Sequence, residues 1–245
     1  MNVRQLSAAL FAKTAVGGNE TTPIAISPDI IAFCESLKAD APVYVQVQSD
    51  PDGMFGFCNV GVLEKTKADG GTIRYGWCIW EYPGVWLIAE FHAVWVNPTG
   101  ALIDITPKPD GETCIVFAGD PTYPPDFDFK KRPINRRWRI YQPPDRAELA
   151  RAKIATFTEA QLKYEVERAT QKGVTLEQWI EARIPIDPLS DHIEAFFRDA
   201  DERDGLWEFN PTGIETRCTN PQRVSELARN QQRHLIEIGK LIGRA

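Results

Sequence analysis

The chain has 245 residues, 43% of them apolar, and a formal net charge of -6. That is ample for a core, and the acidic balance excludes a general nucleic-acid or membrane-surface binder. No stretch is long and apolar enough to span a bilayer, and the five cysteines include no C-x-x-C pair, so neither a zinc ribbon nor a disulfide framework is indicated and a reducing, cytoplasmic setting is the default.

Residues 1–26 carry few signals. Met1 to Lys13 bears a faint likeness to a short signal peptide, but its apolar part is broken. A loop is expected over residues 17–23. Ser27-Pro28-Asp29 then opens a helix, with serine as cap and proline in the first turn. Ile30, Ile31, Phe33, Cys34 and Leu37 form its buried stripe. Ala41 to Gln48 alternates as a strand does. The loop Ser49 to Gly56 leads to Cys58 and a short helix reaching about Ala68, closed by Asp69-Gly70-Gly71. Thr72 to Trp80 reads as a strand, Tyr82-Pro83-Gly84 as a turn, and Val85 to Val96 as a long strand. Trp77, Trp80, Trp86 and Trp95 sit in these strands, mostly as core. Cys114 to Phe117 and Arg137 to Tyr141 read as further strands. Between them, Gly119 to Phe129 is irregular and proline-rich, the kind of long connection that often borders a site. The basic run Lys130 to Arg139 reads as a solvated loop and edge strand rather than an anion site.

Gln142-Pro143-Pro144 marks a change of character. From Asp145 onward the pattern is helical. Asp145 caps a helix through Ile154, and Thr158 with Gln161 and Thr175 with Gln178 fit capping boxes. A helix around Ser190 to Arg203 buries Ile193, Phe196 and Phe197. Asn220-Pro221 opens a last helix with Val224, Leu227, Leu235, Ile238 and Leu241 at helical spacing. The expected organisation is a first domain over residues 1–144 and a helical region over 145–245.

The stretch Ile88 to Pro107 carries the chemistry. Two apolar, β-branched and aromatic runs flank Asn97-Pro98-Thr99-Gly100, which suits a type I turn followed by a left-handed glycine. In that hairpin Asn97 faces Ala101, so Val94 faces Asp104. His92 and Val94 share a face, and Asp104 then lies diagonally within reach of His92. A slip of one residue would put them on opposite faces. A carboxylate beside an imidazole fixes its tautomer and stabilises the imidazolium. The usual third member is a nucleophile, and Cys58 stands at a helix start after a glycine-rich loop, where a thiolate is stabilised.

Cys58, His92 and Asp104, in that order on helix, strand and next strand, with the wording His92-Ala93-Val94-Trp95 and Asp104-Ile105-Thr106-Pro107, resemble the core of the transglutaminase-like branch of the papain-like cysteine peptidases. The resemblance covers about Val43 to Pro107. It implies an α+β fold: a papain-like, transglutaminase-like core with an antiparallel sheet and a cysteine helix on its N-terminal side, here followed by a helical C-terminal extension. It implies Cys58 as nucleophile, His92 as acid and base and Asp104 as its orienter, acting on an amide bond as peptidase, deamidase or acyl transferase. A protein or peptide substrate follows, with no cofactor and no metal. The Cys58 N–H and a preceding glutamine, Gln48 or Gln46, are the oxyanion candidates. Asn59, Trp95 and Glu90 are candidate lining residues.

Plainer readings stand beside these. Cys58 is otherwise a buried thiol and His92 a satisfied sheet histidine. Glu90 otherwise pairs with Arg74. Cys34, Cys78 and Cys114 read as core, and His192 and His234 as surface residues among charges. A zinc site from Cys58, Glu90, His92 and Asp104 lacks a tight ligand pair. The rival function is a non-enzymatic binding protein on the same scaffold, with the helical region as its interaction module. Oligomeric state is left open.

Overall fold

In a computed structural model, residues 2–13, 20–209 and 216–243 are described. The loop expected over 17–23 lies outside them as far as 17–19 is concerned. The first segment is a helix, α1 (Val3–Lys13), where the sequence offered only a broken apolar run. Ser27 caps α2 (Pro28–Ser36), its side chain accepting the Ile30 N–H, with Pro28 in the first turn as expected. Strand β1 (Val43–Val47) follows, then the cysteine helix α3 (Cys58–Asp69). The long strands β2 (Thr72–Tyr82) and β3 (Trp86–Val96) pair antiparallel along their whole length, from Thr72 opposite Val96 to Tyr82 opposite Trp86.

Between β3 and β4 (Leu102–Asp104) the turn has the expected form. The Gly100 N–H donates to the Asn97 carbonyl at 2.9 Å and the Asn97 N–H to the Ala101 carbonyl at 3.0 Å. Gly100 sits at φ +89°, where a side chain would be strained. Asn97 Oδ1 also accepts the N–H groups of Thr99 and Ala101. The register that results, Trp95 opposite Ile103 and Val96 opposite Leu102, places Val94 opposite Asp104.

Strands β5 (Cys114–Gly119) and β6 (Arg136–Arg139) complete the sheet in the order β2-β5-β1-β4-β3-β6, and β2 also pairs with β3. The sheet therefore closes on itself into a small barrel, with β6 as an edge. It is mixed rather than purely antiparallel, because β1 and β4 run parallel, Val47 opposite Asp104. Parallel neighbours need a long crossover, and α3 with the β2–β3 hairpin supplies it. Val45, Cys78, Val94, Ile115 and Phe117, all from strands, form one buried cluster. A second joins β2 and β3 to α2 and α3 through Phe33, Val62, Tyr75, Phe91 and Trp95. Thus α+β describes the fold.

The chain divides into two compact units: Met1–Ile140 with Phe197–Gln231, and Tyr141–Phe196 with Gln232–Ala245. The first crossing falls between Ile140 and Tyr141, and the residues after 145 contribute to both units. Part of α7 (Pro188–Gly205) returns to the first unit. There Phe197 packs edge-on against Trp86 at 5.7 Å, and Arg137 of β6 forms ion pairs with Asp201 and, at 2.7 Å, Asp204. The basic run is accordingly not wholly solvated. The first unit also gains a two-stranded ribbon, β7 (Trp207–Phe209) with β8 (Thr216–Cys218), in a stretch to which the sequence assigned no element.

In the second unit, α4 (Arg146–Ala155) is capped by Asp145, and α5 (Glu159–Lys172) and α6 (Leu176–Glu181) both begin with complete capping boxes. Arg146 ties α4 to the carbonyls of Glu181 and Ile184. Helix α8 (Pro221–Leu241) starts in the first unit, where Asn220 caps it through the Arg223 N–H, and ends in the second. His192 and His234 are not isolated surface residues: their Nδ1 atoms lie 3.0 Å apart. Among the described residues, no helix is long and apolar enough to cross a membrane.

Phe117 is completely buried within the strand cluster. Phe117→Ala is expected to cost about 3–5 kcal/mol of unfolding free energy, since the barrel cannot collapse into the void. Urea denaturation followed by tryptophan fluorescence measures this; a loss below about 1 kcal/mol would mean that the strand cluster is not the barrel's core.

Candidate active site

Asp104 is the hub of the site. It is fully buried, and such a carboxylate survives only where donors surround it. His92 Nε2 lies 3.1 Å from Asp104 Oδ2. A carboxylate only accepts, so Nε2 carries the proton and donates it. Asp104 Oδ1 accepts the Thr106 N–H at 2.8 Å. That contact bends the chain at Thr106, as Asp-x-Thr-Pro favours. Four residues after Asp104, Lys108 Nζ donates to the same Oδ2 at 2.7 Å.

The electrostatics follow from burial and these contacts. Burial alone would lower the pKa of His92, but the charge of Asp104, and then that of Cys58, outweighs it and raises the value to about 10. Burial alone would raise that of Asp104, but His92 and Lys108 hold it well below the usual carboxylate range. For Lys108 burial opposes the ammonium, and Asp104 more than compensates.

Cys58 occupies the first turn of α3. Phe57 at the cap position offers no side-chain hydrogen bond, so the first N–H groups of the helix have no side-chain acceptor. The lead-in loop is locked against the end of β4. A Cβ on Gly53 would lie 2.0 Å from the Ile105 carbonyl oxygen, so only glycine permits that approach. Lys65 on α3 anchors the same loop through Asp50 at 2.6 Å. Arg4 of α1 donates to Asp52 at 2.7 Å, and Phe11 meets Phe55 edge-on at 5.7 Å. The loop therefore ties the cysteine helix to the strand that bears Asp104.

Cys58 and His92 both line a cavity of about 430 Å³ walled by Phe55, Trp80, Phe91 and Phe129. Phe129 comes from the irregular connection after β5, whose Tyr123 and Phe127 also pack on Phe91. No hydrogen bond joins Cys58 Sγ to His92, and His92 Nδ1 makes none among the described residues. With Nε2 committed to Asp104, Nδ1 is the nitrogen available to a thiol or substrate.

Of the other candidates, Glu90 lines the cavity but does not pair with Arg74. Its Oε2 accepts the Trp80 indole N–H at 3.0 Å, while Arg74 pairs with Asp40 at 2.5 Å. Gln48 is brought to Asp104 only by its backbone, whose N–H donates to the Asp104 carbonyl at 2.9 Å; its side chain is exposed, as is that of Gln46. Trp95 is bound elsewhere, donating to the Gly70 carbonyl at 2.9 Å, and Asn59 is buried off the cavity wall. Burial pushes the thiols of Cys34, to about 11, and of Cys78 upward, which leaves both as inert core; Cys114 is half-buried. Among the described residues, no three His, Cys, Asp or Glu side chains converge as metal ligands.

Lys108 and Arg132 escaped the sequence reading. Lys108 stands four residues after Asp104 beyond a Thr-Pro turn, a weak local signal. Arg132 belongs to the basic run but lines the cavity, where burial lowers its pKa against the opposing charges of Cys58 and Glu90. No family model matches this chain, and no curated protein or solved structure matches it significantly.

The pair's pH dependence has a definite sign. The raised His92 contributes stability in full below about pH 6.5, the unfolded value. That contribution fades as pH rises through about 10. The lowered Asp104 contributes above about pH 4, the unfolded value, and its share is lost as acid protonates it. Asp104→Asn is expected to cost about 3–5 kcal/mol near pH 6, because it leaves buried cations unpaired. The cost should shrink toward pH 10, and the His92 midpoint should fall below its ordinary value. Urea titrations across pH and NMR of the imidazole check both; an unmoved midpoint would break the pairing.

Proposed function

We propose that this protein is a cysteine-dependent hydrolase or acyl transferase acting on an amide bond, on a transglutaminase-like variant of the papain-like core. The observation that carries the reading is the buried His92–Asp104 pair, whose His92 lines the same cavity as a cysteine at a helix N-terminus. In the proposed reaction His92 Nδ1 accepts the Cys58 thiol proton, directly after a side-chain rotation or through one water. The sulfur attacks the amide carbonyl, and the C–S bond forms as the C=O π pair moves to oxygen. The backbone N–H of Cys58 and the dipole of α3 stabilise that oxyanion. The tetrahedral adduct collapses, the C–N bond breaks, and the imidazolium gives its proton to the leaving amine. A thioester on Cys58 remains. Water or an acceptor amine, deprotonated by His92, then releases the acyl group. Asp104 keeps the ring oriented and its charge balanced throughout.

Iodoacetamide alkylation at pH 7, read site by site by mass spectrometry, tests the proposal. Cys58 is expected to react about tenfold or more faster than Cys114 and Cys218, and His92→Ala should bring it down to their rate. Cys34 and Cys78 should react only after unfolding. If the buried Cys58 reacts no faster than the partly exposed Cys114 and Cys218, the enzyme reading fails and a binding role for the scaffold takes its place.

A further inference from the structure

The proton path above uses Cys58, His92 and Asp104 and leaves the ammonium of Lys108 without a task. Burying a lysine is costly, so its position needs a reason. The Lys108 side chain is only 7% exposed, and Asp104 is fully enclosed. Asp104 Oδ2 thus receives two cationic donors, Lys108 Nζ at 2.7 Å and His92 Nε2 at 3.1 Å. Since both bind one oxygen, the two nitrogens are less than about 6 Å apart, close enough for strong repulsion. The ammonium also stands 5.7 Å from the centre of the Trp80 ring. Trp80 is itself held by its hydrogen bond to Glu90. The lysine is therefore fixed from two sides.

A buried carboxylate acting alone on His92 would hold the imidazolium more tightly than the pair does with Lys108 beside it. An imidazolium held that tightly gives its proton to a leaving amine less readily than one nearer its ordinary value. We propose that Lys108 is a positioning residue which, by sharing Asp104 Oδ2, offsets the pull of the carboxylate on His92 and keeps the imidazole closer to the range in which it can exchange a proton. The purpose of this device rests on the cysteine-enzyme reading; the effect on His92 does not. The charged and titratable groups around the pair act in opposite senses. Asp104 on β4 and Cys58 on α3 favour the imidazolium, and Lys108 disfavours it. Glu90 on β3 and Cys78 on β2 face Lys108 and, with Asp104, favour its charge. Arg132 faces Cys58 and Glu90 rather than the pair.

The test is the His92 titration, followed by NMR of the imidazole in the full-length protein. Lys108→Gln keeps a donor for Asp104 but removes the charge; Lys108→Met removes both; Lys108→Arg restores the charge. The expected result is an upward shift of the His92 midpoint by about one pH unit or more in the neutral variants, and by no more than a few tenths in Lys108→Arg. A purely structural lysine would lower stability in Lys108→Gln without moving that midpoint, and this result overturns the proposal. Should neither neutral variant fold, the wild-type protein decides. There the Lys108 side-chain carbon signals should respond as His92 titrates, in two coupled steps. Independent single-step titrations would overturn the proposal. The readout needs neither turnover nor a reactive Cys58. An inert Cys58 with a shifted His92 therefore refutes the enzyme reading alone, and a reactive Cys58 with an unmoved His92 refutes the lysine's role alone.

Discussion

Asp104 accepts from His92, Lys108 and the Thr106 N–H while fully buried, and the site depends on that one carboxylate. A buried charge without partners is strongly destabilising, so the three donors must arrive together. The β3–β4 turn delivers His92, the bend after β4 delivers the Thr106 N–H, and Lys108 follows four residues after Asp104. Each arrival is a short-range event. The hub is built from one continuous segment, residues 92–108, and tolerates no slip in its register.

Cys58 reaches that segment by another route. Its helix begins after a loop pressed so closely on Ile105 that only glycine fits at position 53. Lys65 and Arg4 then anchor the loop through Asp50 and Asp52. The exposed Arg4 makes its pair with Asp52 worth little stability on its own, while Lys65 and Asp50 are half-buried. Their effect is geometric: they hold the loop, and with it the start of α3, against the strand that ends in Asp104. The aromatic wall is assembled from further away, since Phe129 lies at the end of the irregular connection that packs on Phe91. The cavity is bounded by the strands on one side and by that connection on the other.

Much of this was legible in the residues themselves. Asn97-Pro98-Thr99-Gly100 specifies one turn, that turn specifies the pairing of Val94 with Asp104, and the His92–Asp104 contact follows by alternation. Ser27, Asp145, Thr158 and Thr175 announce their helices because a side-chain oxygen near free N–H groups satisfies them locally. Other features were misread for lack of such a local cause. Gln48 precedes Cys58 in the chain, yet its side chain faces outward because the alternation of β1 turns it away from the cavity. Glu90 takes Trp80 rather than Arg74, because Asp40 already holds the arginine. His192 and His234 meet only because α7 and α8 bring them together.

By itself the sequence determined what depends on neighbours a few residues apart: the helix starts, the hairpin and its register, and the dyad that the register creates. Local sterics and hydrogen bonding decide those, and they are nearly independent of the rest of the chain. Tertiary structure alone decided that β1 joins β4 in parallel and that β2 closes the barrel through both β3 and β5. It also returned part of α7 to the first unit, placed Arg132 on the cavity wall, and buried Lys108 on the carboxylate that His92 already uses. These outcomes depend on which distant apolar faces meet and on which buried charges must then find partners, and neither leaves a periodic trace in the residues concerned.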